Sequence, residues 1–417
     1  MGVELKTPRL DLDAVRARFP ALSLIAGGRQ AVFLDNPAGT QVPQPVLDRV
    51  AEYWRTMNAN HGGAFLTSRR SDGLVERVRE HAVAFVNARS AEEIVFGPNM
   101  TSLTFALSRA IARELNPGDE IVVTRLEHDA NLSPWLALEE RGVKVRFADL
   151  VVEGCRLDME DLASKVGPRT RLLAVTHASN AVGTIPDLYA VSRLARQAGA
   201  WLWVDAVHYA PHGPIDVRSV DCDFLACSAY KFYGPHLGLV YGRREVLERL
   251  RPYKVRPAPE VIPHSFETGT PAFESIAGLE GTFEYLARLG EGTTPHRQAF
   301  ERAFQRIQAH ERELVTRLLS GLARIPGIRI LGIEDPARVA ERAPTVSVTW
   351  PPHSPQRLAA WLAQHQVFAW HGNHYAPVLM ERLGLGEEGT LRIGLAHYNT
   401  AQEVDLALEL LAGYRPD

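Results

Sequence analysis

The sequence contains few cysteines. Only three occur among 417 residues, at positions 155, 222 and 227. No two of them have the paired spacing of a structural zinc site. Cys222 and Cys227 border or lie within an apolar run, which favours a packing role, whereas Cys155 falls in a turn-like connection. The cysteines therefore predict neither a zinc centre nor a reactive thiol.

The chain also lacks a long hydrophobic run and a strong excess of either charge. No stretch approaches membrane-spanning length, and the first ten residues lack the apolar core of a signal peptide. The formal net charge is -3, which argues against a nucleic-acid or anionic-membrane partner. We therefore predict a cytoplasmic protein with no membrane or nucleic-acid partner.

Two nucleotide-binding signatures are missing as well. No Gly-x-Gly-x-x-Gly follows the first strand and no Gly-Lys-Ser/Thr loop occurs, which disfavours a dinucleotide or nucleoside-triphosphate enzyme. Apolar runs instead alternate with helical patterns from about residue 90 to 245. This alternation predicts an α/β fold with a largely parallel sheet covered by helices. The length of 417 residues is sufficient for two domains.

A lysine stands in an unusual place between two apolar runs. Lys231 lies between Phe224–Cys227 and Leu239–Tyr241, with Ser228 three residues before it and Gly-Pro three residues after it. A partly desolvated lysine loses its proton more readily and can form a Schiff base with a carbonyl. A surface lysine with a buried stem is the alternative for a lone residue of this type.

An acidic residue ends the preceding apolar run. Asp205 follows Trp201–Val204, and the carboxyl ends of strands in open α/β sheets face the crevice where ligands bind. A carboxylate there can hold a protonated pyridine nitrogen and so make the ring an electron sink. Asp205 and Lys231, one strand apart, therefore predict a site for an aldehyde cofactor.

The combination of Asp205 with Ser228-x-x-Lys231 resembles pyridoxal phosphate enzymes of fold type I. More narrowly, it is similar to the class V aminotransferase family, which includes cysteine desulfurases. The resemblance extends from Leu34 to Thr400. It implies pyridoxal 5'-phosphate as the cofactor, an amino-acid substrate, and a homodimer with shared active sites. His371, His374 and His397 are alternative metal ligands, but no carboxylate or cysteine completes a recognisable spacing, so no metal is predicted.

The same resemblance implies the domain organisation. We predict an N-terminal segment, residues 1–30, that packs near the small domain, a large cofactor-binding domain over 31–285, and a small α+β domain over 286–417. The large domain is expected to hold a mainly parallel mixed sheet covered by helices. In the small domain, apolar runs predict strands at Ile328–Leu331, Thr345–Trp350 and Leu391–Gly394.

The turn Gly97–Ser102 leads directly into a helical pattern. The amino end of a helix offers free backbone donors to an anion, which suits the cofactor phosphate. A plain helix cap by Thr101 or Ser102 is the local alternative. The resemblance implies that His128 stacks on the cofactor ring. The alternative from the local sequence is that His128 caps the following helix through Asp129. The cofactor contacts implied together are Met100, Thr101, His128, Asn180, Asp205, His208, Ser228, Tyr230, Lys231 and, from the neighbouring subunit, Thr270.

Three further residues carry the substrate and reaction predictions. Arg392 matches a family arginine that binds the substrate carboxylate through two parallel hydrogen bonds. Asn180 and Asn36 are predicted to lie near that carboxylate. Tyr375 stands where cysteine desulfurases carry their nucleophilic cysteine, and a phenol cannot replace a thiolate in forming a persulfide. The predicted catalytic residues are thus Lys231, His128, Asp205 and Tyr375.

These residues predict a pyridoxal-phosphate-dependent enzyme that acts on an amino acid through a Schiff base. Elimination of a β substituent, with cleavage of a carbon–sulfur bond, is favoured because it needs no protein thiol. Transamination and epimerisation are the alternatives within the same chemistry. A non-catalytic, cofactor-binding partner of a sulfur-transfer system is the alternative outside it.

Overall fold

The computed structural model describes residues 9–415. Residues 1–8, which belong to the predicted N-terminal segment, lie outside the described residues. Within the described part, no helix combines the length and apolarity needed to cross a lipid bilayer. The predicted cytoplasmic location stays a prediction.

A seven-stranded mixed sheet forms the centre of the protein. In chain order its strands are β1 (Ile94–Gly97), β2 (Glu120–Thr124), β3 (Lys144–Ala148), β4 (Thr170–Thr176), β5 (Trp201–Asp205), β6 (Phe224–Ser228) and β7 (Gly238–Gly242). Their spatial order is β3-β2-β4-β5-β6-β7-β1. Only β7 runs against its two neighbours, and every other adjacent pair is parallel. The predicted largely parallel sheet is therefore confirmed.

Apolar strands lie at the centre of this sheet because both of its faces are covered. In β2, Val122 packs into one core cluster, while Ile121 and Val123 pack into a second cluster on the other face. In β5, Val204 packs into the first of these clusters and Trp203 into the second. Side chains alternate across a strand, so a strand buried on both faces is continuously apolar.

Helices supply the two covering layers. The helix Leu66–Val86 buries Leu74, Val78 and Phe85 on one side, and Met100–Ile111 packs on the other. The helices are Leu12–Arg16, Gln44–Thr56, Leu66–Val86, Met100–Ile111, Ser133–Leu136, Met159–Lys165, Leu188–Ala198, Val217–Val220, Arg244–Arg249, Phe273–Leu289, Arg297–Leu322, Pro355–Gln364, Pro377–Arg382 and Ala401–Ala412.

A second, antiparallel sheet lies in the C-terminal third of the chain. Its strands are β8 (Arg329–Leu331), β9 (Thr345–Thr349), β10 (Trp370–Gly372) and β11 (Thr390–Gly394), in the order β8-β9-β11-β10. Residues of the helices Arg297–Leu322, Pro355–Gln364 and Ala401–Ala412 join it in a third core cluster. Short strands also occur at Ile25–Ala26, Arg29–Gln30, Val32–Phe33, Leu150–Val151, Arg156–Leu157 and Val367–Phe368.

The N-terminal part of the described chain contacts this second sheet region. Val32–Phe33 pairs in parallel with Val367–Phe368, and Val32 and Leu34 pack into the third core cluster. This contact brings the following segment, Asp35–Thr40, between the two sheets. The domain boundaries themselves stay a prediction.

Two helix boundaries depend on local contacts. The helices Phe273–Leu289 and Arg297–Leu322 are separated by a short connection, in which Gly290 and Gly292 pack closely against Ala299. At the start of the helix Leu66–Val86, Ser68 accepts a hydrogen bond from Gly63 N and donates one to Asn60 O. Side-chain bonds of this kind stabilise a first turn that propensity alone does not indicate.

Candidate active site

A cleft opens where the parallel strands of the central sheet end. It contains about 460 Å³ of empty space. Polar residues enter it from the turns after β1, β2, β4, β5 and β6, which all end at the same edge of the sheet. Its lining consists of Met100, Thr101, His128, Ala130, Thr176, Ala178, Asn180, Asp205, Val207, His208, Ser228, Tyr230 and Lys231. Nine of the cofactor-contact residues predicted from the sequence are thus brought together.

Lys231 lies in a short 3-10 turn directly after β6. Its Nζ donates a hydrogen bond to the carbonyl oxygen of Pro37, in the segment that crosses between the two sheets. Burial and the Arg392 cation, partly opposed by Asp205, together lower the pKa of Lys231 to about 7. A substantial fraction of the amine is therefore unprotonated, and nucleophilic, near neutral pH.

The lowered pKa predicts how the apoprotein captures the aldehyde cofactor. Below pH 7 the rate should rise about tenfold per pH unit, and above about pH 8 it should level off. Replacing Arg392 with glutamine removes a cation that lowers the pKa of Lys231, so the midpoint should move to higher pH. Stopped-flow absorbance measures the rate, and a model lysine derivative provides the control. A rate that still climbs steeply at pH 9 in the unaltered protein contradicts this prediction.

Asp205 is the last residue of β5 and is buried. Its Oδ1 accepts a hydrogen bond from Val207 N (2.9 Å), which fixes the carboxyl group at the edge of the cleft. Burial raises the pKa of Asp205 to about 6, partly offset by Lys231. The group is therefore mostly ionised at pH 7.5 and offers a buried negative charge to a cationic ring nitrogen.

His128 follows β2 and caps the short 3-10 helix Asp129–Asn131. Its Nδ1 accepts a hydrogen bond from Ala130 N (3.0 Å), so capping involves the imidazole itself and not Asp129. Burial, Lys231 and Arg392 lower the pKa of His128 to about 4. A neutral imidazole whose Nδ1 accepts carries its proton on Nε2. Capping and a place in the cleft are thus compatible roles for one ring.

Glu127, which was not among the predicted site residues, organises this region. Glu127 is fully buried, and burial raises its pKa to about 8. Its carboxyl group accepts hydrogen bonds from Thr124 (2.5 Å), Asn131 (2.7 Å) and the backbone N of Thr176 (2.9 Å). These bonds tie the ends of β2 and β4 to the turn that carries His128. The one feature of the sequence that points to Glu127 is its position immediately before His128.

His208 and Tyr230 complete the walls of the cleft. His208 is buried, and its Nε2 lies 3.0 Å from Thr345 Oγ1 at the start of β9. Burial lowers the pKa of His208 well below its usual range, with a further contribution from His212. The ring of Tyr230 lies 5.0 Å from Lys231 Nζ, and burial raises the pKa of its phenol.

Arg392 reaches the cleft region from β11 of the second sheet. It is buried, and one guanidinium nitrogen donates to the carbonyl oxygen of Asn180 (2.9 Å). Arg392 Nε and Asn180 Oδ1 are buried without a protein hydrogen-bond partner. Burial lowers the pKa of Arg392 to about 10, which leaves it cationic at neutral pH. Buried polar atoms of this kind require partners, and a ligand carboxylate matches the guanidinium.

The helix Met100–Ile111 points its amino end at the cleft. Asn99 caps it by accepting from Ser102 N (2.8 Å), and Met100 N donates to Ser228 Oγ (2.9 Å). The local alternative, in which Thr101 or Ser102 is the capping residue, is therefore wrong. Gly238, at the start of β7, lies against the backbone of Asn99. This close approach keeps the start of the helix at the sheet edge.

Replacing Gly238 with alanine should weaken cofactor binding. The new Cβ would collide with the backbone of Asn99 and displace the amino end of the helix. Overpacking of this kind costs about 1–3 kcal/mol, and if about 1.4 kcal/mol of this is expressed in binding, the dissociation constant of the phosphate-bearing cofactor rises roughly tenfold. Titration of the apoprotein measures that constant. Gly167→Ala is the matched control, because its Cβ meets no atom within 4 Å. Equal affinities of the two variants contradict the prediction.

Several predicted site residues do not line this cleft. Thr270 is exposed in a loop, and its contact with a neighbouring subunit stays a prediction. Asn36 is buried and its amide donates to Phe33 O, Gly394 O and Asn399 Oδ1, so it ties the N-terminal segment to the second sheet. Its role in substrate binding stays a prediction. Tyr375 lies beside His128 at the mouth of the cleft.

The residues present fit pyridoxal phosphate. A lysine of lowered pKa, a buried carboxylate one strand away and a neutral imidazole converge at the amino end of a helix. The unpartnered atoms of Arg392 and Asn180 adjoin them. The fold and this donor set define a pyridoxal-phosphate-dependent enzyme.

Comparison with known proteins identifies the family. Residues 32–407 match the family model described as aminotransferase class-V, and the chain belongs to that family. A probable cysteine desulfurase of Synechocystis sp. is 34% identical over 424 residues, covering 98% of this chain and 96% of that protein. A cysteine desulfurase of Pectobacterium atrosepticum is 33% identical and is covered over 97% of its length. The chain spans only 65% of probable cysteine desulfurase 1 of Mycobacterium leprae, at 32% identity.

Solved structures show the same fold. The apo structure of a cysteine desulfurase from Thermococcus onnurineus superimposes with a TM-score of 0.86 at 28% identity, covering 96% of this chain and 97% of that one. Cysteine desulfurase CsdA of Escherichia coli gives a TM-score of 0.83 at 28% identity, covering 97% and 98%. The predicted fold type I architecture is confirmed, and pyridoxal 5'-phosphate is the cofactor of this family.

Proposed function

We propose that the protein cleaves the carbon–sulfur bond of an S-substituted cysteine by β-elimination, without a protein thiol. The net reaction converts the amino acid and one water molecule into a thiol, pyruvate and ammonia. No oxidant or reductant is needed. The reaction would proceed at the cleft that contains Lys231.

The residues of the cleft suit the steps that this reaction requires. The cofactor supplies an electron sink for the pair released when the α proton leaves. Arg392 would bind the substrate carboxylate and so orient the α carbon. Lys231, with a pKa of about 7, is suited to take up the α proton at Nζ and to release it later. Asp205 would keep the ring nitrogen protonated.

The placement of the cysteines is the observation that carries the proposal. Cys155, Cys222 and Cys227 are all buried in the same core cluster, and none lines the cleft. Burial raises the pKa of each thiol, which suppresses the reactive thiolate. At the cleft mouth stands Tyr375, whose phenol cannot accept sulfur as a thiolate does. Because β-elimination needs no protein thiol, it is the type of carbon–sulfur cleavage that suits these residues.

One assay separates this proposal from its alternatives. Purified protein would receive cystine, cysteine, S-alkyl cysteines and a panel of other amino acids, with thiol, sulfide, pyruvate, keto acids and stereochemical inversion followed. We expect pyruvate and thiol in equal amounts from a sulfur-substituted substrate. Keto acids that retain the substrate side chain would support transamination, and inverted amino acid would support epimerisation. No turnover of any amino acid would support a non-catalytic role.

We further propose a homodimer in which Thr270 reaches the partner's site. Phe65 and Leu66 are exposed, and His61, four residues before Phe65, lies against Phe273, three residues after Thr270, with ring centroids 6.2 Å apart. Exposed apolar side chains of this kind are typical of an interface. The surface around Thr270 thus suits contact with a second copy of the chain.

Hybrid dimers test the shared site. Lys231→Ala and Thr270→Ala chains, each of low activity alone, should regain activity when co-expressed. One of the two sites in a hybrid then combines Lys231 from one chain with Thr270 from the other. Tandem affinity tags isolate the hybrid, and turnover per site is measured. Hybrids no more active per site than the Thr270→Ala homodimer would show that Thr270 does not act in the partner's site.

A further inference from the structure

Tyr375 presents an exposed aromatic ring at the mouth of the cleft. Its residue surface is 74% exposed. The ring stacks on the imidazole of His128, with centroids 5.6 Å apart and planes 15° from parallel. Since one face contacts His128, the opposite face is available to a ligand. An aromatic ring left exposed beside the half-buried imidazole of His128 requires an explanation beyond packing.

The loop that carries Tyr375 is held firmly. His374 and Tyr375 both adopt left-handed backbone conformations, with φ of 54° and 55°. Such conformations are uncommon for residues other than glycine and persist where surrounding contacts enforce them, often at functional sites. His374 O accepts from Asn180 Nδ2 (2.7 Å), and Tyr375 O accepts from Asp129 N (2.7 Å). The exposed ring is therefore pre-positioned.

The anchors of this loop are residues of the active site. Asn180, which bonds to His374 O, also accepts a hydrogen bond from Arg392. Asp129, which bonds to Tyr375 O, directly follows His128. The loop of Tyr375 is thus held by Asn180, which binds the arginine suited to the substrate carboxylate, and by the residue next to His128. A substituent that leaves the cleft past His128 would meet the ring of Tyr375.

A second exposed ring flanks the same arginine. Trp370 is directly opposite Arg392 in the register of β10 and β11, and 52% of its surface is exposed. Directly opposed residues of an antiparallel pair project from the same face of the sheet. Trp370 therefore places a second exposed aromatic side chain next to Arg392 on the same face of the sheet.

We propose that Tyr375 forms a binding subsite for an aromatic substituent on the substrate sulfur, with Trp370 as an outer wall. The inference rests on the proposed carbon–sulfur cleavage and specifies its substrate class as S-aryl or S-arylalkyl cysteines. Aromatic pairs gain from stacking beyond the area that they bury. A rigid exposed ring binds such a group with little loss of its own conformational entropy.

Binding of inert analogues tests the subsite without turnover. L-homophenylalanine replaces the sulfur of S-phenylcysteine with carbon, and L-2-aminobutyrate does the same for cysteine. Neither has a leaving group. Calorimetry on the holoenzyme should give about tenfold tighter binding of homophenylalanine, and Tyr375→Phe should keep that ratio. Tyr375→Asn, in which asparagine tolerates the left-handed backbone, should reduce it to within threefold. Tyr189→Ala, which removes an exposed tyrosine outside the cleft lining, is the matched control and should leave the ratio unchanged.

Kinetics then separate this inference from the function on which it rests. In the Tyr375→Asn variant, the ratio of KM for S-methyl-L-cysteine to KM for S-phenyl-L-cysteine should fall about tenfold from its value in the unaltered protein. Any general loss of kcat would affect both substrates alike and would not move this ratio. A binding ratio that Tyr375→Asn leaves intact overturns the subsite even if sulfur-substituted substrates are turned over. A ratio lost in that variant, with no thiol released from any substrate, supports the subsite and refutes the proposed reaction.

Discussion

Replacing Lys231 with alanine is expected to reduce amino-acid turnover by about 10³-fold or more and to abolish the covalent link to the cofactor. The amine is the only group near the cleft that combines a place beside Asp205 with a pKa of about 7, among the residues that the structure describes. Its loss removes both the cofactor's covalent anchor and the base at the α carbon. General base catalysis alone contributes about 10²–10⁴-fold.

Borohydride reduction followed by mass analysis measures the link, and steady-state assays measure turnover. Lys165→Ala is the matched control, because Lys165 is far from Lys231 in the sequence. It forms a partly exposed ion pair with Asp161. Such pairs contribute at most about 1 kcal/mol. Circular dichroism would verify that both variants are folded. A Lys231→Ala protein that still gives a reducible adduct, or keeps a tenth of its turnover, contradicts the assignment.

Replacing Asp205 with asparagine is expected to lower turnover by about 10²–10⁴-fold while the link to Lys231 persists. The amide can still accept the hydrogen bond from Val207 N, so the local backbone should be preserved. It carries no charge, however, and cannot keep a pyridine nitrogen protonated in a buried site. The electron sink that the reaction needs is then weakened.

Asp187→Asn serves as the control for this substitution. Asp187 caps the helix Leu188–Ala198 by accepting from Ala190 N (3.0 Å), and asparagine caps helices about equally well. Its turnover should equal that of the unaltered protein. The ring nitrogen's protonation is followed through the absorption spectrum of the bound cofactor. If Asp205→Asn retains turnover within threefold, the role of the carboxylate is wrong.

The strand ends of the central sheet could be predicted from the sequence because their signals are local. Both Asp205 and Ser228 close continuous apolar runs, and such runs indicate strands buried on two faces. Parallel strands that end at one edge then place Asp205, Lys231 and His128 together. The resemblance to a known family added Arg392, which comes from a distant part of the chain.

Other parts of the site depend on tertiary contacts that have no local signal. Glu127 organises the turn before His128 through partners on two strands. His374 and Tyr375 both have a left-handed backbone, which a sequence normally indicates by a glycine, and neither residue is a glycine. The exposure and stacking of Tyr375 likewise follow from the arrangement of two sheets. The contacts of the Asn36 amide with Phe33, Gly394 and Asn399 also depend on distant parts of the chain, and its role in substrate binding stays a prediction.

The identity of the three-carbon product formed by a cysteine-free variant tests the central claim most directly. Cys155, Cys222 and Cys227 would be replaced together by alanine, and the holoenzyme given S-phenyl-L-cysteine and L-cysteine. Elimination without a protein thiol predicts pyruvate at the unaltered rate, with an equal amount of thiol from the aryl substrate. Alanine formed from cysteine by the parent protein, and lost in the cysteine-free variant, would contradict the account.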